Sequence, residues 1–185
     1  DKSLSGRITI HFTAKADGVH QLVFNGLYKS IEKVTDGQQP LEFSLVDDQL
    51  TIHLARPLKQ GTTMALTVDY LAKPKRGMRF YEDHLFTVYH TSNWMVAHKN
   101  INDKATLDLT LHHDAELVAI VNGSELEQDS NSDAITSSWS LATPVPTYTF
   151  GFALGKFKRI QVKQQNRSYH YYYRPETQSR LNKQQ

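Results

Sequence analysis

Nine histidines are the side chains in this sequence most suited to metal or acid–base chemistry, and the chain contains no cysteine. A zinc site on one helix needs two histidines at i and i+4, as in His-Glu-x-x-His, with a carboxylate nearby. No histidine here is followed by glutamate. The adjacent pair His112 and His113 lies in a strand-like segment, where neighbouring side chains point to opposite faces. We therefore expect no metal site, and we expect His11 and His53 on the polar faces of strands.

Other catalytic arrangements leave no clear mark on the sequence. The absence of cysteine excludes disulfides, thiolate zinc sites and a cysteine nucleophile within this chain. No Gly-x-Ser-x-Gly elbow and no phosphate-binding glycine loop is present. Ser–His–Asp triads and carboxylate pairs stay open, because folding alone brings their members together. Gly151 and Gly155 lie in an aromatic segment, where glycine is expected to permit close packing or a bend. No catalytic residue is assigned.

The segments that would position any functional site have the sequence pattern of β-strands. Ile8, Ile10 and Phe12 alternate with Thr9 and His11, the pattern of a half-buried strand. The same alternation recurs at residues 50–54, 64–70 and 107–111, with Gly- and Asn-containing turns between the runs. No long stretch has helical periodicity. The sequence predicts an all-β fold, a sandwich of about a dozen short, mostly antiparallel strands.

Two polar segments interrupt this pattern. Residues 125–133 are acidic and are expected to form a loop at a hairpin tip. We expect residues 1–173 to form one sandwich domain. Residues 174–185 are polar, and we expect them to be a linker or the start of a following domain.

Aromatic residues concentrate near the C-terminus. Tyr148, Phe150, Phe152 and Phe157 are followed by Tyr169–Tyr173. Exposed rings of this kind can form a platform for carbohydrate. Alternatively, alternate rings belong to the core and the others pack on a neighbouring domain.

Composition and charge narrow the function classes. The chain is 39% hydrophobic and 22% charged, with a formal charge of +2 and a pI near 8.7. That balance is too mild to favour nucleic acid, and no apolar run reaches the length of a membrane-spanning helix. The first residue is Asp1, so we expect a trimmed N-terminus. With the missing cysteine, this favours a bacterial protein that is periplasmic or membrane-associated, although the compartment otherwise stays unknown.

Several stretches occur in a characteristic order. Val88–Met95 precedes the strand that opens with Asp103-Lys104-Ala105-Thr106, and a hairpin signal, Ala119–Gly123, follows. The remaining stretches are Gly6–Phe12, Arg76–Tyr81, Thr143–Tyr148, Phe152–Phe157 and Tyr173–Glu176. This succession resembles the N-terminal domain of the zinc aminopeptidase family, which includes membrane alanyl aminopeptidase and leukotriene-hydrolase relatives. The resemblance covers nearly the whole chain.

The resemblance implies a saddle-like β-sandwich followed by a thermolysin-like helical catalytic domain. That second domain carries Gly-x-Met-x-Asn, His-Glu-x-x-His and a third glutamate ligand, and none of these motifs occurs in this sequence. The resemblance thus implies no cofactor in this chain and zinc in the missing catalytic domain. It also implies that this chain supports that domain and lines its cleft, while the full-length protein releases N-terminal residues from peptides.

The same resemblance singles out one loop. In the family, a Gln or Glu after a Tyr-x-Thr sequence helps to hold the free α-amine of the substrate. Tyr89, His90 and Thr91 match that sequence, and Ser92 occupies the position of the Gln or Glu. Asn93 takes its place if the loop is shifted by one residue. The candidate substrate-binding residues are therefore Tyr89, Thr91, Ser92 and Asn93.

Two alternatives remain at this point. The chain is a free-standing β-sandwich that binds carbohydrate or protein through its aromatic face, or it is the scaffold domain of a family member that has lost its zinc site. In the leading hypothesis its partners are the catalytic domain of the same polypeptide and, through the full-length protein, a peptide substrate. No nucleic acid and no membrane-spanning segment are expected.

Overall fold

The computed structural model describes residues 2–98, 100–130 and 133–177, and the regular secondary structure of this part is strand apart from three short 3-10 turns. Eight pairs of neighbouring strands in the described residues are antiparallel. The predicted all-β, mostly antiparallel fold is confirmed. The strands are β1 (Leu4–Thr13), β2 (Val19–Asn25), β3 (Lys29–Thr35), β4 (Phe43–Val46), β5 (Gln49–Leu58), β6 (Thr63–Ala72), β7 (Met78–Phe80), β8 (His84–Thr87), β9 (Lys104–Asp114), β10 (Val118–Val121), β11 (Ser124–Ser130), β12 (Ala134–Pro146), β13 (Phe152–Gly155), β14 (Lys158–Gln164) and β15 (Arg167–Tyr173). Short 3-10 turns cover Thr91–Asn93, Thr147–Thr149 and Pro175–Thr177.

The chain divides into two compact units. The first comprises, among the described residues, 2–79, 87–98, 100–105 and 144–150, and it contains β1 to β6. The second comprises, among the described residues, 80–86, 106–130, 133–143 and 151–177, and it contains all or most of each strand from β8 to β15.

The first unit is a sandwich of two three-stranded sheets. Their strand orders are β1-β6-β3 and β2-β5-β4. Side chains from both sheets form one core, since Val34, Leu66 and Val68 of the first sheet cluster with Leu50 and Ile52 of the second. These five side chains are at most 1% exposed. The alternation of apolar and polar residues in β1 and β6 places every second side chain in this core.

One cross-strand pair shows how closely the first sheet is packed. Gly6 of β1 lies directly opposite Tyr70 of β6. A Cβ atom on Gly6 would lie 2.6 Å from the Tyr70 ring. The ring therefore covers the glycine backbone, and its burial raises the pKa of the Tyr70 hydroxyl above its ordinary value.

The second unit contains three small sheets. Within this unit their strand orders are β10-β13-β8, β11-β12-β9 and β14-β15. The loop predicted for residues 125–133 is wrong for its first part, because residues 125–130 belong to β11 and pair with β12. The backbone ladder to β12, whose Ile135, Ser137 and Trp139 are buried, outweighs the polar composition of this exposed strand.

The histidines lie where the alternation places them. His11 and His53 are exposed, as predicted. His112 contacts the Thr136 hydroxyl at 2.9 Å, whereas the ring of His113 approaches the Ser137 hydroxyl at 3.4 Å.

Gly155, at the end of β13, packs closely against His84 of β8. A Cβ atom on Gly155 would lie 2.5 Å from that of His84, so this glycine does permit close packing. None of the described helical segments is long and apolar enough to cross a membrane.

Strand β15 ends at Tyr173. Residues 178–185 lie outside the described part of the chain, and the boundary between residues 173 and 174 stays a prediction.

Candidate functional site

The predicted substrate loop, Tyr89–Asn93, is a sharp bend in the first unit. Tyr89 and His90 have φ angles of 46° and 47°, in the left-handed region that residues with a Cβ rarely adopt. The 3-10 turn Thr91–Asn93 follows, closed by a hydrogen bond from the Asn93 amide to the His90 carbonyl at 2.8 Å. Such a backbone persists only where its surroundings fix it. Contacts from four other segments do so here.

Gly77 packs against the first half of this loop. Its φ of +80° is itself left-handed, and a Cβ atom at Gly77 would lie 2.8 Å from the carbonyl oxygen of His90. The Val88 amide donates to the Gly77 carbonyl at 3.0 Å. The loop thus lies directly on the backbone of residue 77, where only glycine leaves enough room.

Thr91 anchors the middle of the loop. Its side chain is 1% exposed, and its hydroxyl donates to the carbonyl of Phe150 at 2.9 Å. Both the donor and the acceptor are buried, so neither finds water if the bond is broken. Thr91 is therefore fixed by the protein's own backbone.

Asn25, at the end of β2, holds the second half of the loop. Its side-chain amide nitrogen lies 2.9 Å from the Ser92 carbonyl, 3.0 Å from the Ser92 hydroxyl and 3.3 Å from the side-chain oxygen of Asn93. Its own side-chain oxygen accepts from the Leu27 amide at 3.0 Å. Asn25 and Asn93 are each 6% exposed. One buried amide therefore orients two successive loop residues.

Lys29, at the start of β3, adds a buried cation to this network. It is only 8% exposed, and its ammonium donates to the carbonyls of Leu27 at 3.1 Å and Ser92 at 2.5 Å. Burying an ammonium is costly unless oxygen atoms replace its hydration shell. The two carbonyls do so, and the Ser92 carbonyl is held by Asn25 and Lys29 together.

These contacts separate the four candidate residues into two groups. Thr91 and Asn93 are buried and already bonded within the protein. Tyr89 is 68% exposed and Ser92 is partly exposed. The Ser92 hydroxyl oxygen accepts one hydrogen bond from Asn25, which leaves it one further acceptor site and its own proton. Tyr89 and Ser92 are thus the two that can reach a ligand, and substrate contact by any of the four stays a prediction.

The sequence did not reveal the residues that hold this loop. Asn25 precedes Gly26, and such a pair indicates only a turn between strands. Gly77 follows Lys75 and Arg76, and its neighbours in the sequence do not point to the loop. Nothing in the spacing connects positions 25, 29 or 77 with the loop at positions 89–93, because the contacts form only when β2, β3 and the segment before β7 come together.

A second cluster of polar and aromatic side chains lies in the second unit. The ring of His84 stacks on Tyr81 with centroids 4.5 Å apart, and Phe86 lies parallel to both rings. Asp83 lies 2.6 Å from Nδ1 of His84, and this hydrogen bond holds the pKa of the Asp83 carboxyl below its ordinary value. The carboxylate and the rings fix the His84 imidazole in one orientation on β8.

The described residues do not fit a catalytic zinc ion. Nowhere in residues 2–98, 100–130 and 133–177 do three His, Asp or Glu side chains come close enough to share a metal. A catalytic zinc site needs three protein ligands and an open position for water. No step through zinc is therefore derived for this chain.

Comparison with known proteins identifies the fold. No protein-family model matches the chain, and no curated protein sequence matches it. Solved structures do match. A two-domain M1 zinc metallopeptidase mutant bound to L-tryptophan superposes with a TM-score of 0.81 at 20% identity. The M1 zinc metallopeptidase from Deinococcus radiodurans gives 0.80 at 20%, and a mutant of it bound to a Tyr-Ser-Ala substrate gives 0.82 at 19%.

The extent of the match is as informative as its quality. Each superposition covers 93% of this chain and 43% of the metallopeptidase chain. The chain therefore spans less than half the length of the structures it resembles. The predicted resemblance to a domain of the zinc aminopeptidases is confirmed at the level of the fold.

Proposed function

We propose that this chain is the non-catalytic N-terminal domain of a zinc aminopeptidase-like protein, which supports the catalytic domain and lines one wall of its substrate cleft. The observation that carries the proposal is the superposition at a TM-score of 0.81 over 93% of this chain and 43% of a two-domain metallopeptidase. The order of the sequence motifs supports the N-terminal position. The full-length protein would release N-terminal residues from peptides, with zinc held in its second domain.

The loop Tyr89–Asn93 is this domain's proposed contribution to the cleft. Asn25, Lys29 and Gly77 fix its backbone, while Tyr89 is exposed and Ser92 is partly exposed. Tyr89 offers a ring for packing against a peptide side chain. Ser92 offers a neutral acceptor for the substrate amine.

Ser92 is expected to bind a cationic amine only weakly, because its side chain is uncharged. A hydroxyl forms a weaker hydrogen bond to an ammonium than a carboxylate does. The ammonium of Lys29 also contacts the Ser92 carbonyl, so a second cation beside this residue meets repulsion. The carboxylates that neutralise the substrate amine would then come from the catalytic domain.

An assay of the isolated chain and the full-length protein tests the proposal. The full-length protein is expected to hydrolyse an aminoacyl-arylamide and to lose this activity with a chelator, while the 185-residue chain is inactive. Chelator-sensitive hydrolysis by the isolated chain that persists on dilution would contradict the proposal. A full-length protein without His-Glu-x-x-His would instead favour a scaffold that has lost its zinc site.

One observation favours a second candidate, a free-standing module that binds carbohydrate. Tyr169 and Tyr171 are 39% and 57% exposed on the same face of a hairpin. A glycan array probed with the isolated chain tests it. Glycan binding that is lost in Tyr171→Ala, in a chain with no second domain, would select this function over the first.

A further inference from the structure

The hairpin formed by β14 and β15, here called the terminal hairpin, is a separate two-stranded sheet. Among the described residues its two strands pair only with each other. Every residue of β14 is exposed, and so are the first five of β15. A two-stranded hairpin is marginally stable in water unless it packs on another surface.

The register of the hairpin gathers its apolar side chains on one face. Ile160 lies opposite Tyr171, and Val162 lies opposite Tyr169. Opposed residues and residues two apart share a face of a sheet. These four side chains are 39%, 57%, 43% and 39% exposed, in the order just given. They form a contiguous apolar patch, which on a folded protein marks an interaction site.

The opposite face of the hairpin is polar apart from Tyr172, which lies opposite Arg159 and is half-buried. On the same face Gln161 lies opposite His170, and Lys163 lies opposite Ser168. A strand pair with one apolar and one polar face is typical of a sheet covered on one side only. The pattern of apolar and polar residues in the hairpin is therefore typical of a sheet with its apolar face buried. In this chain the four apolar side chains on that face are exposed.

Charge indicates what covers this face. From Lys156 to Arg174 the sequence contains no Asp or Glu. Lys156 pairs with Glu116 at 2.9 Å, and Arg174 pairs with Glu176 at 3.2 Å. No ion pair within the described part of the chain involves the four basic residues between them, which are Lys158, Arg159, Lys163 and Arg167. By the register, Lys158 and Arg167 lie on the same face as Ile160 and Val162, one at each end of the apolar patch. A partner surface that covers this face is complementary in charge if it carries carboxylates at its rim.

We infer that the apolar face of the terminal hairpin docks onto the second domain of the same polypeptide, on an apolar patch rimmed by carboxylates. The inference rests on the proposed function, which supplies that domain. The two-domain metallopeptidases, of which this chain covers 43%, have more than enough further chain to provide it. Since the resemblance places the exit to that domain at Tyr173–Glu176, the tether is short and the effective concentration of the partner surface is high.

Hydrogen exchange of the hairpin amides tests the inference. We expect these amides to exchange at least about tenfold more slowly in the full-length protein than in the 185-residue chain, since docking protects them. Replacing the opposed pair by Ile160→Ser with Tyr171→Ser is expected to abolish this protection. The matched control, Gln161→Ser with His170→Ser, changes the next opposed pair on the polar face and is expected to keep it. Both pairs are exposed, and the thermal midpoint of each variant checks that it folds.

The other possible outcomes would contradict either the docking inference or the proposed function. Equal exchange in both proteins overturns the docking inference and leaves the proposed function standing. A coding sequence without a second domain overturns the proposed function itself. Sedimentation of the isolated chain as a dimer that the Ile160/Tyr171 variant disrupts would assign the face to a second copy. Salt-sensitive binding of a single-stranded DNA oligonucleotide by the full-length protein would assign it to a polyanion.

Discussion

The ammonium of Lys29 donates a hydrogen bond to the backbone carbonyl of Ser92, 63 residues further along the chain, at 2.5 Å. Together with Asn25, it fixes the carbonyl in the centre of the predicted substrate loop. The loop is therefore shaped by the first sandwich unit before any substrate or second domain is present.

Lys29→Met should loosen the loop without unfolding the domain. The substitution removes a donor to the Ser92 carbonyl, but it also removes the cost of burying an ammonium, so the two effects on stability oppose each other. We expect faster hydrogen exchange of the Asn93, Trp94 and Met95 amides, which close the turn, with little change in the thermal midpoint. Lys33→Met, on the exposed side of the same strand, is the control and should leave these amides unchanged. Unaltered exchange in Lys29→Met would show that Lys29 does not hold the loop.

Thr91→Val should destabilise the protein by about 1–3 kcal/mol, because it leaves the buried Phe150 carbonyl without its donor. Urea unfolding measures the difference. Thr149→Val is the matched control, since the Thr149 hydroxyl also donates to a carbonyl, that of Pro146 at 2.8 Å, but is exposed to water. Its cost should stay within about 0.5 kcal/mol. Equal costs for the two valines would argue against the buried bond as an anchor.

Gly6→Ala should cost about 1–3 kcal/mol, because the new methyl group would lie 2.6 Å from the buried Tyr70 ring. Ser5→Ala adds no atoms at the neighbouring exposed position of β1 and should change the unfolding free energy by less than about 0.5 kcal/mol. A stable Gly6→Ala variant would mean that the ring moves aside at little cost.

The domain should lose stability in acid partly through Asp69. A hydrogen bond from Arg7 lowers the pKa of the Asp69 carboxyl in the folded protein. Folding therefore favours the ionised form. This stabilisation is fully present above the unfolded pKa, about 3.9, and is lost as the pH falls through the folded value.

Thermal midpoints of the wild type and Asp69→Asn, measured from about pH 6 to about pH 2, test this assignment. The difference between the two proteins should be largest at the upper end and should shrink as the pH falls. Glu32→Gln, an exposed carboxylate on β3, should show a smaller difference at every pH. A constant offset between wild type and Asp69→Asn would contradict the role of ionisation.

The strands of the first unit were predictable because each follows a local rule. Ile8, Ile10 and Phe12 alternate with polar residues, and β1 places them on the core side. The strand at Ser124–Ser130 was missed because its composition is polar and acidic, while its pairing with β12 depends on residues that follow it in the chain. Sequence patterns of period two report burial, and this exposed strand has little of it.

The resemblance to a family located the candidate loop in the sequence. It did not reveal the contacts that fix the backbone of this loop. Tyr89 to Asn93 contain nothing that predicts two successive left-handed residues. That backbone depends on Gly77 beneath it and on Asn25 and Lys29 beside it. The contacts of Asn25 and Lys29 with Ser92 join residues more than sixty positions apart, and no local spacing encodes them.

Zinc content, measured by elemental analysis of the purified 185-residue chain and of the full-length protein, tests the central claim most directly. The account predicts about one zinc ion per full-length molecule, held by the three protein ligands of a catalytic site. The isolated chain should hold much less than one, since its described residues bring no three metal-binding side chains together. One tightly bound zinc ion per isolated chain would contradict the assignment of this chain as a non-catalytic domain.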